Sequence, residues 1–105
     1  MNKWHKTITK EKWAGFSLKE QILMIGSEIL RAKNWLEHKD IETTLICYER
    51  AMELIDLTVT QGDLSLKIRK LLLQLREAIG FLYLKESGDP SLCQIFYNEL
   101  ISLVS

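Results

Sequence analysis

The chain has 105 residues, of which 47% are apolar and 27% are charged, and its fourteen basic side chains balance its fourteen acidic ones. This length and composition are typical of one globular domain. The balanced charge argues against nucleic acid or a membrane surface as a partner held by net charge. No apolar run reaches the roughly 20 residues that span a bilayer. Residues 1–12 lack the apolar segment of a secretory signal, so we expect a cytoplasmic protein.

Residues 1–16 differ from the rest of the chain and are predicted to form a short N-terminal arm. They contain four lysines and two tryptophans, Trp4 and Trp13. Thr9 can cap a short helical turn that ends at Gly15. We expect the tryptophans to hold part of the arm against the remainder of the protein.

Three stretches beyond the arm repeat apolar residues at alternating steps of four and three, which keeps one face of an α-helix apolar over about five turns. The three ladders are Leu18, Ile22, Ile25, Ile29, Ala32, Leu36; then Ile41, Leu45, Tyr48, Met52, Ile55, Val59; then Leu64, Ile68, Leu71, Leu75, Ala78, Leu82. A looser fourth stripe contains Leu92, Ile95, Phe96, Leu100, Leu103 and Val104. The sequence therefore predicts an all-α fold, an antiparallel up-down-up-down four-helix bundle over residues 17–105.

Capping signals predict where the first two long helices meet. Ser17 and Glu20 have the spacing of a capping box, so the first helix is predicted to begin after Ser17 and to run to about His38. Asp40 is the predicted N-cap of the second helix. Because the connection before Asp40 is very short, the first two helices are predicted to pack antiparallel.

Glycines predict the later boundaries. The second helix is expected over residues 41–61, with Gly62 as a left-handed C-cap. The third is expected over residues 63–86, capped by Asp63 and stopped by Gly88.

The dipeptide Asp89-Pro90 predicts the start of the fourth helix, residues 91–104. The aspartate can cap this helix. Proline suits the first turn because its missing N–H would be unpaired there anyway.

Few side chains in this sequence are placed for chemistry. His5 and His38 have no further ligands at metal-binding spacing, so we expect no metal and no cofactor. Cys47 and Cys93 lie in helical patterns and are predicted to be reduced, buried thiols, with a structural disulfide as the alternative. No serine, histidine and aspartate fall at a recognisable catalytic spacing, so we expect no enzymatic activity.

Arg31 and His38 are the pair that could carry a reaction. Six residues separate them on the first long helix, an arrangement that resembles the R-x(4–6)-H motif of HEPN-family ribonucleases, which are also small helical bundles. The resemblance implies a ribonuclease or a toxin–antitoxin component in which Arg31 and His38 act on RNA. This is the enzymatic alternative for the chain.

Apolar residues outside the ladders are the strongest indication of function. Leu23 and Leu30 lie off the ladder of the first helix, and Leu66 and Leu73 lie off that of the third, where Gly80 continues the spacing of seven. A wide core could absorb them. Otherwise the arm, another copy of the protein or a partner segment must cover them. We predict that these four leucines bind a partner helix.

The order of six short sequence features also matches a pattern found in one family of proteins. These features are Ile22-Leu23-Met24-Ile25, Leu36, Asp40-Ile41-Glu42, Ala51-Met52-Glu53-Leu54-Ile55-Asp56, Leu84-Lys85 and Asp89-Pro90. Their order resembles that of the flagellin export chaperones, the FliS family. Members of that family are small cytoplasmic helical bundles that hold the C-terminal segment of flagellin unpolymerised in apolar grooves on the outside of the bundle. The resemblance implies a non-enzymatic, chaperone-like grip on an apolar helix.

The sequence thus favours a non-enzymatic helical protein-binding module with a protein partner. Two alternatives stay open. One is the ribonuclease that uses Arg31 and His38, and the other is a self-associating structural bundle, such as a homodimer.

Overall fold

The computed structural model describes residues 8–105, which form five helices and no strand. The helices are α1 (Lys10–Ala14), α2 (Leu18–Glu37), α3 (Ile41–Val59), α4 (Leu66–Leu84) and α5 (Pro90–Ser102). The prediction of an all-α fold is confirmed. Within the described range, no helix is both long enough and apolar enough to cross a bilayer.

The predicted start of α2 is confirmed in detail. The Ser17 hydroxyl accepts a hydrogen bond from the Glu20 amide at 3.1 Å, and the Glu20 carboxylate accepts one from the Ser17 amide at 2.8 Å. Asp40 and Asp89 cap α3 and α5 as predicted. Hydrogen bonds from the amide and hydroxyl of Thr43 lower the pKa of Asp40, because they favour the charged carboxylate.

The connection between α3 and α4 differs from the prediction. The C-cap of α3 is Thr60, and α4 begins after Ser65, whose hydroxyl accepts from an amide in the first turn. Gly62 is therefore not the cap of α3 and is not in the left-handed region. Asp63 does not cap α4, because that helix starts later than expected.

A side chain from α4 explains why α3 needs no glycine cap. The Arg69 guanidinium donates to the carbonyl of Val59 and, at 2.8 Å, to that of Gln61. Carbonyls at the end of a helix lack intrahelical partners and must be satisfied in another way. Arg69 satisfies them from outside the segment, so local sequence could not predict this helix end.

Two helices are followed by a residue that is not glycine but whose backbone lies in the left-handed region. Lys39 after α2 has a φ of 58°, and Glu86 after α4 has a φ of 49°. In both cases the next amide donates to a carbonyl five residues earlier, at 2.9 and 3.0 Å, which is the hydrogen bond of a Schellman motif. The prediction that Gly88 stops the third long helix is wrong, because Glu86 takes that role.

Replacing Lys39 with glycine should therefore stabilise the protein. A side chain in the left-handed region costs roughly 1–2 kcal/mol, part of which is offset by the greater freedom of glycine in the unfolded chain. We expect Lys39→Gly to raise the free energy of unfolding by up to about 1 kcal/mol in urea titrations. Lys39→Ala is the control, since it keeps the Cβ atom. Equal stability of the two variants would contradict this account.

Contacts between helices show how the chain is packed. α2 packs against α3 and α5, and α4 packs against α3. In each pair an early residue of one helix meets a late residue of the other, so the packed helices run antiparallel. The contacts between α2 and α3 are Gln21–Gln61, just beyond the end of α3, and Glu28–Arg50. Those between α4 and α3 are Arg69–Val59 and Tyr83–Glu49. Those between α2 and α5 are Gly26–Tyr97 and Lys33–Gln94. The fourth side, between α4 and α5, is not closed by close helix packing.

The apolar core draws residues from all five helices. Its buried members are Trp13, Ile22, Ile25, Ile29, Ala32, Cys47, Tyr48, Ala51, Leu54, Ile55, Leu72, Leu75, Ile79, Cys93 and Leu100. In α4 the buried face is rotated by one residue from the predicted ladder, because Leu72 and Ile79 are buried whereas Leu71 and Ala78 are only half-buried. This rotation turns part of the ladder toward α5.

Both cysteines are free and buried, which confirms the prediction of reduced thiols. Burial raises the pKa of Cys47 and of Cys93 to about 11. Because the thiolate is the reactive form, neither side chain is poised for nucleophilic chemistry.

Trp13 confirms the expected docking of the arm, whereas Trp4 lies outside the described residues. The indole N–H donates to the Thr58 hydroxyl at 3.0 Å, and that hydroxyl donates to the Leu54 carbonyl at 2.8 Å. The buried side-chain amide of Gln21 donates to the Trp13 carbonyl at 2.8 Å. Residues around Trp13 are thus part of the core rather than an appendage.

Candidate functional site

The four leucines predicted to bind a partner lie in two separate pairs. On α4, Leu66 is 80% exposed and Leu73 is 47% exposed. On α2, Leu23 is 39% exposed and Leu30 is half-buried. α2 and α4 each pack on α3 but do not pack closely on each other. The four leucines, which the sequence analysis predicts to bind one partner helix, therefore form two separate surfaces.

The α2 pair lies beside α5. Gly26 is three residues after Leu23 and four before Leu30, so all three lie near one side of the helix. A Cβ atom on Gly26 would come within 3.0 Å of the Tyr97 ring of α5. Leu23 and Leu30 therefore flank the contact between α2 and α5.

Leu66 and Leu73 lie on the side of α4 that faces away from α5. Arg69 and Arg76 each come three residues after one of these leucines, and both guanidinium groups reach α3. Leu66 and Leu73 therefore lie on the outer surface next to the α3 side of α4. One straight partner helix cannot contact both leucine pairs.

A groove of about 600 Å³ runs between α4 and α5. Its lining is mostly apolar, and the residues are Gln74, Glu77, Ala78, Phe81, Leu82, Leu92 and Phe96. Phe81 is 60% exposed, whereas the other apolar members are half-buried. The groove therefore presents an apolar floor with one aromatic ring at its rim.

Four of the seven residues that line the groove are ones that the sequence predicts as core. Ala78 and Leu82 belong to the third ladder, and Leu92 and Phe96 belong to the fourth stripe. Because α4 and α5 are too far apart to pack closely, these side chains line an opening instead of closing it. No signal separates them from core residues in the sequence.

Polar contacts across the seam between α3 and α4 distinguish it from the seam between α4 and α5. Arg76 pairs with Asp56 at 3.0 Å, and the Tyr83 hydroxyl donates to Glu49, which raises the pKa of Tyr83. Within the described part of the chain, no hydrogen bond or ion pair joins α4 to α5. Among the described residues, the α4–α5 seam therefore has no polar bridge of the kind that joins α3 to α4.

At the rim of the groove, the ammonium group of Lys85 lies 5.6 Å from the centroid of the Phe81 ring. A cation at this distance is attracted to the face of an aromatic ring. The contact favours an orientation of Phe81 along the edge of the groove.

A buried ion pair lies at the seam between α2 and α3. Glu28 is only 5% exposed, and one of its carboxylate oxygens accepts from Arg50 at 3.1 Å and from Arg31 at 3.5 Å. Its second oxygen has no hydrogen-bond partner among residues 8–105. Removing one member of a buried pair costs more than the pair's net value, because the remaining charge is left buried and unpaired.

The structure does not bring Arg31 and His38 into one site. Arg31 is bound to Glu28, whereas His38 is the C-cap of α2, where its Nδ1 lies 2.8 Å from the carbonyl of Asn34. Seven residues correspond to roughly 10 Å along a helix. Neither cleft that contains Arg31 contains His38. The ribonuclease alternative stays a prediction without a shared pocket to support it.

Comparisons of the chain with protein-family models, with curated proteins and with solved structures found no match. Within residues 8–105, no three histidine, cysteine, aspartate or glutamate side chains are grouped to hold a metal ion. The case for function therefore depends on the chain's own surfaces, above all the apolar groove.

Proposed function

We propose that this chain is a non-enzymatic, cytoplasmic protein-binding module that holds an apolar helix of a partner protein between α4 and α5. In this proposal α2 to α5 form an antiparallel up-down-up-down four-helix bundle with one open seam. The observation that carries the proposal is the groove of about 600 Å³, whose lining is mostly apolar.

A helix is the occupant that fits such a seam. Two antiparallel helices form the walls, and a third helix laid along them contacts both through side chains at positions i, i+3, i+4 and i+7. Full burial of one large apolar side chain contributes about 1.5–3 kcal/mol. Two or three such side chains from the partner, together with the lining of the groove, support micromolar binding.

The resemblance to flagellin export chaperones suggests a specific occupant. That family holds an apolar C-terminal segment in grooves on the outside of its bundle. We propose the same mode of binding here, at the α4–α5 groove rather than at Leu23 and Leu30. A flagellin C-terminal peptide is therefore one of two probes.

Fluorescence anisotropy with labelled peptides tests the proposal. The first probe is a synthetic amphipathic helix of about five turns with leucines on one face, and the second is a flagellin C-terminal peptide. We expect saturable binding of at least the first. Phe81→Ser should weaken it about tenfold or more, equivalent to about 1.4 kcal/mol, because the ring lies at the groove rim.

Leu23→Ser is the matched control, since it replaces another exposed apolar residue outside the groove. Its affinity should equal that of the unmodified protein. Circular dichroism should show unchanged helicity in both variants. Absence of binding at roughly 100 µM peptide, or equal losses in the two variants, would contradict the proposed site.

A further inference from the structure

A second apolar surface, separate from the groove floor, runs along the outer face of α4. Leu84 is 82% exposed, and together with Leu66 and Leu73 it lies within about 20° of one line along the helix. We call this surface the outer stripe, and its members are Leu66, Lys70, Leu73, Glu77, Gly80 and Leu84. None of the three leucines lines the α4–α5 groove, and Glu77 is the one member that the two surfaces share.

The outer stripe has the spacing of a helix–helix contact. Its members follow steps of 4-3-4-3-4, the repeat by which two helices pack along each other. Lys70 and Glu77, both exposed, place one basic and one acidic residue on opposite sides of the stripe's centre. The stripe thus has opposite charges in its two halves.

We propose that a second copy of this chain covers the outer stripe, with α4 packed antiparallel on the second copy's α4. In this arrangement residues pair when their numbers sum to about 150. Leu66 then meets the second copy's Leu84, and Lys70 meets the second copy's Gly80, where the missing side chain leaves room for the lysine methylenes. Leu73 meets the second copy's Glu77 and packs on its methylenes, while the carboxylate extends toward Lys70. The ammonium group lies one layer from the second copy's Glu77.

Charge complementarity selects this occupant and this direction. Two-fold symmetry forms the contact between Lys70 and the second copy's Glu77 twice, as an isologous interface requires. Parallel pairing would instead place Lys70 beside its own counterpart and Glu77 beside its own, and like charges oppose association. The stripe is therefore complementary to itself only when the two copies are antiparallel.

The size of the stripe predicts a weak, reversible dimer. A helix of 19 residues is about 28 Å long, so one helix pair gives an interface at the small end of the range for specific complexes. We expect a dissociation constant on the order of 10–100 µM. The dimer does not require a partner helix in the proposed groove.

Sedimentation velocity from about 5 to 500 µM protein, at low salt, tests the proposal through a charge exchange. Lys70→Glu and Glu77→Lys should each weaken the dimer about tenfold. The double variant Lys70→Glu/Glu77→Lys should recover the original affinity to within about threefold, because it restores opposite charges in the antiparallel pair. Both positions are exposed, so helicity should not change.

Leu92→Ser is the control that separates this proposal from the groove, because Leu92 lines the groove from α5 and lies outside the outer stripe of α4. It removes a groove residue and should leave the dimer intact. A protein that stays monomeric over the whole concentration range would overturn the proposal. So would a double variant that does not recover, since that result excludes a contact between Lys70 and the second copy's Glu77.

Discussion

Replacement of Trp13 by alanine should lower the free energy of unfolding by about 3–5 kcal/mol, the range for deleting a buried aromatic side chain. Trp13 is 1% exposed and is part of the same core cluster as residues of the four long helices. Its indole N–H also donates to the Thr58 hydroxyl at 3.0 Å. Guanidinium titration followed by circular dichroism measures the loss.

Trp13→Phe separates packing from hydrogen bonding at the same position. The smaller ring keeps part of the packing and removes the indole N–H, so we expect a loss of about 1–3 kcal/mol, clearly smaller than that of alanine. If Trp13→Ala costs less than about 1 kcal/mol, α1 is an appendage and the description of a core built from all five helices is wrong.

Gly88→Ala should lower the free energy of unfolding by about 2–3 kcal/mol, because no space exists for a methyl group there. A Cβ atom on Gly88 would lie 2.2 Å from the Tyr48 hydroxyl and 2.9 Å from Cδ1 of Leu36. The Tyr48 hydroxyl cannot move away freely, since it donates to the Ser87 carbonyl at 3.0 Å. For a domain of this size, the expected loss lowers Tm by roughly 4–8 °C per kcal/mol.

Gly62→Ala is the matched control for Gly88→Ala. No atom lies within 4 Å of a Cβ placed on Gly62, so its effect should stay within about 0.5 kcal/mol. In a Tyr48→Phe background, Gly88→Ala should cost about 1 kcal/mol less, because the clashing hydroxyl is absent. Strict additivity of the two changes would show that the hydroxyl is not the obstacle.

Helix starts could be predicted from the sequence because they depend on a few consecutive residues. Ser17 with Glu20, Asp40, and Asp89 with Pro90 all act within one turn. Such local hydrogen bonds are encoded by spacing alone.

Helix ends and glycine roles could not be predicted in the same way. The end of α3 is satisfied by Arg69, ten residues after the carbonyl of Val59. Gly88 is required by Tyr48, which is forty positions away, and not by its own backbone conformation. Contacts between distant residues decide these features, and a local pattern does not contain them.

The groove between α4 and α5 could not be predicted from the sequence either, because it too depends on how distant helices pack. Periodicity identifies the apolar face of a helix but not whether another helix covers it. Ala78, Leu82 and Phe96 therefore resemble core residues in the sequence, although they line an opening between α4 and α5. Leu66 and Leu73, which lie off the ladder, were predicted as surplus residues, and their exposure agrees with that interpretation.

The binding of an amphipathic helix between α4 and α5 is tested most directly by NMR. Backbone amide shifts of the isotopically labelled protein are followed while the leucine-faced peptide is added. We predict that the largest changes fall at residues 74–82 and 92–96, the two walls of the groove. Changes centred on Leu23 and Leu30, or no saturable changes at all, would contradict the proposed function.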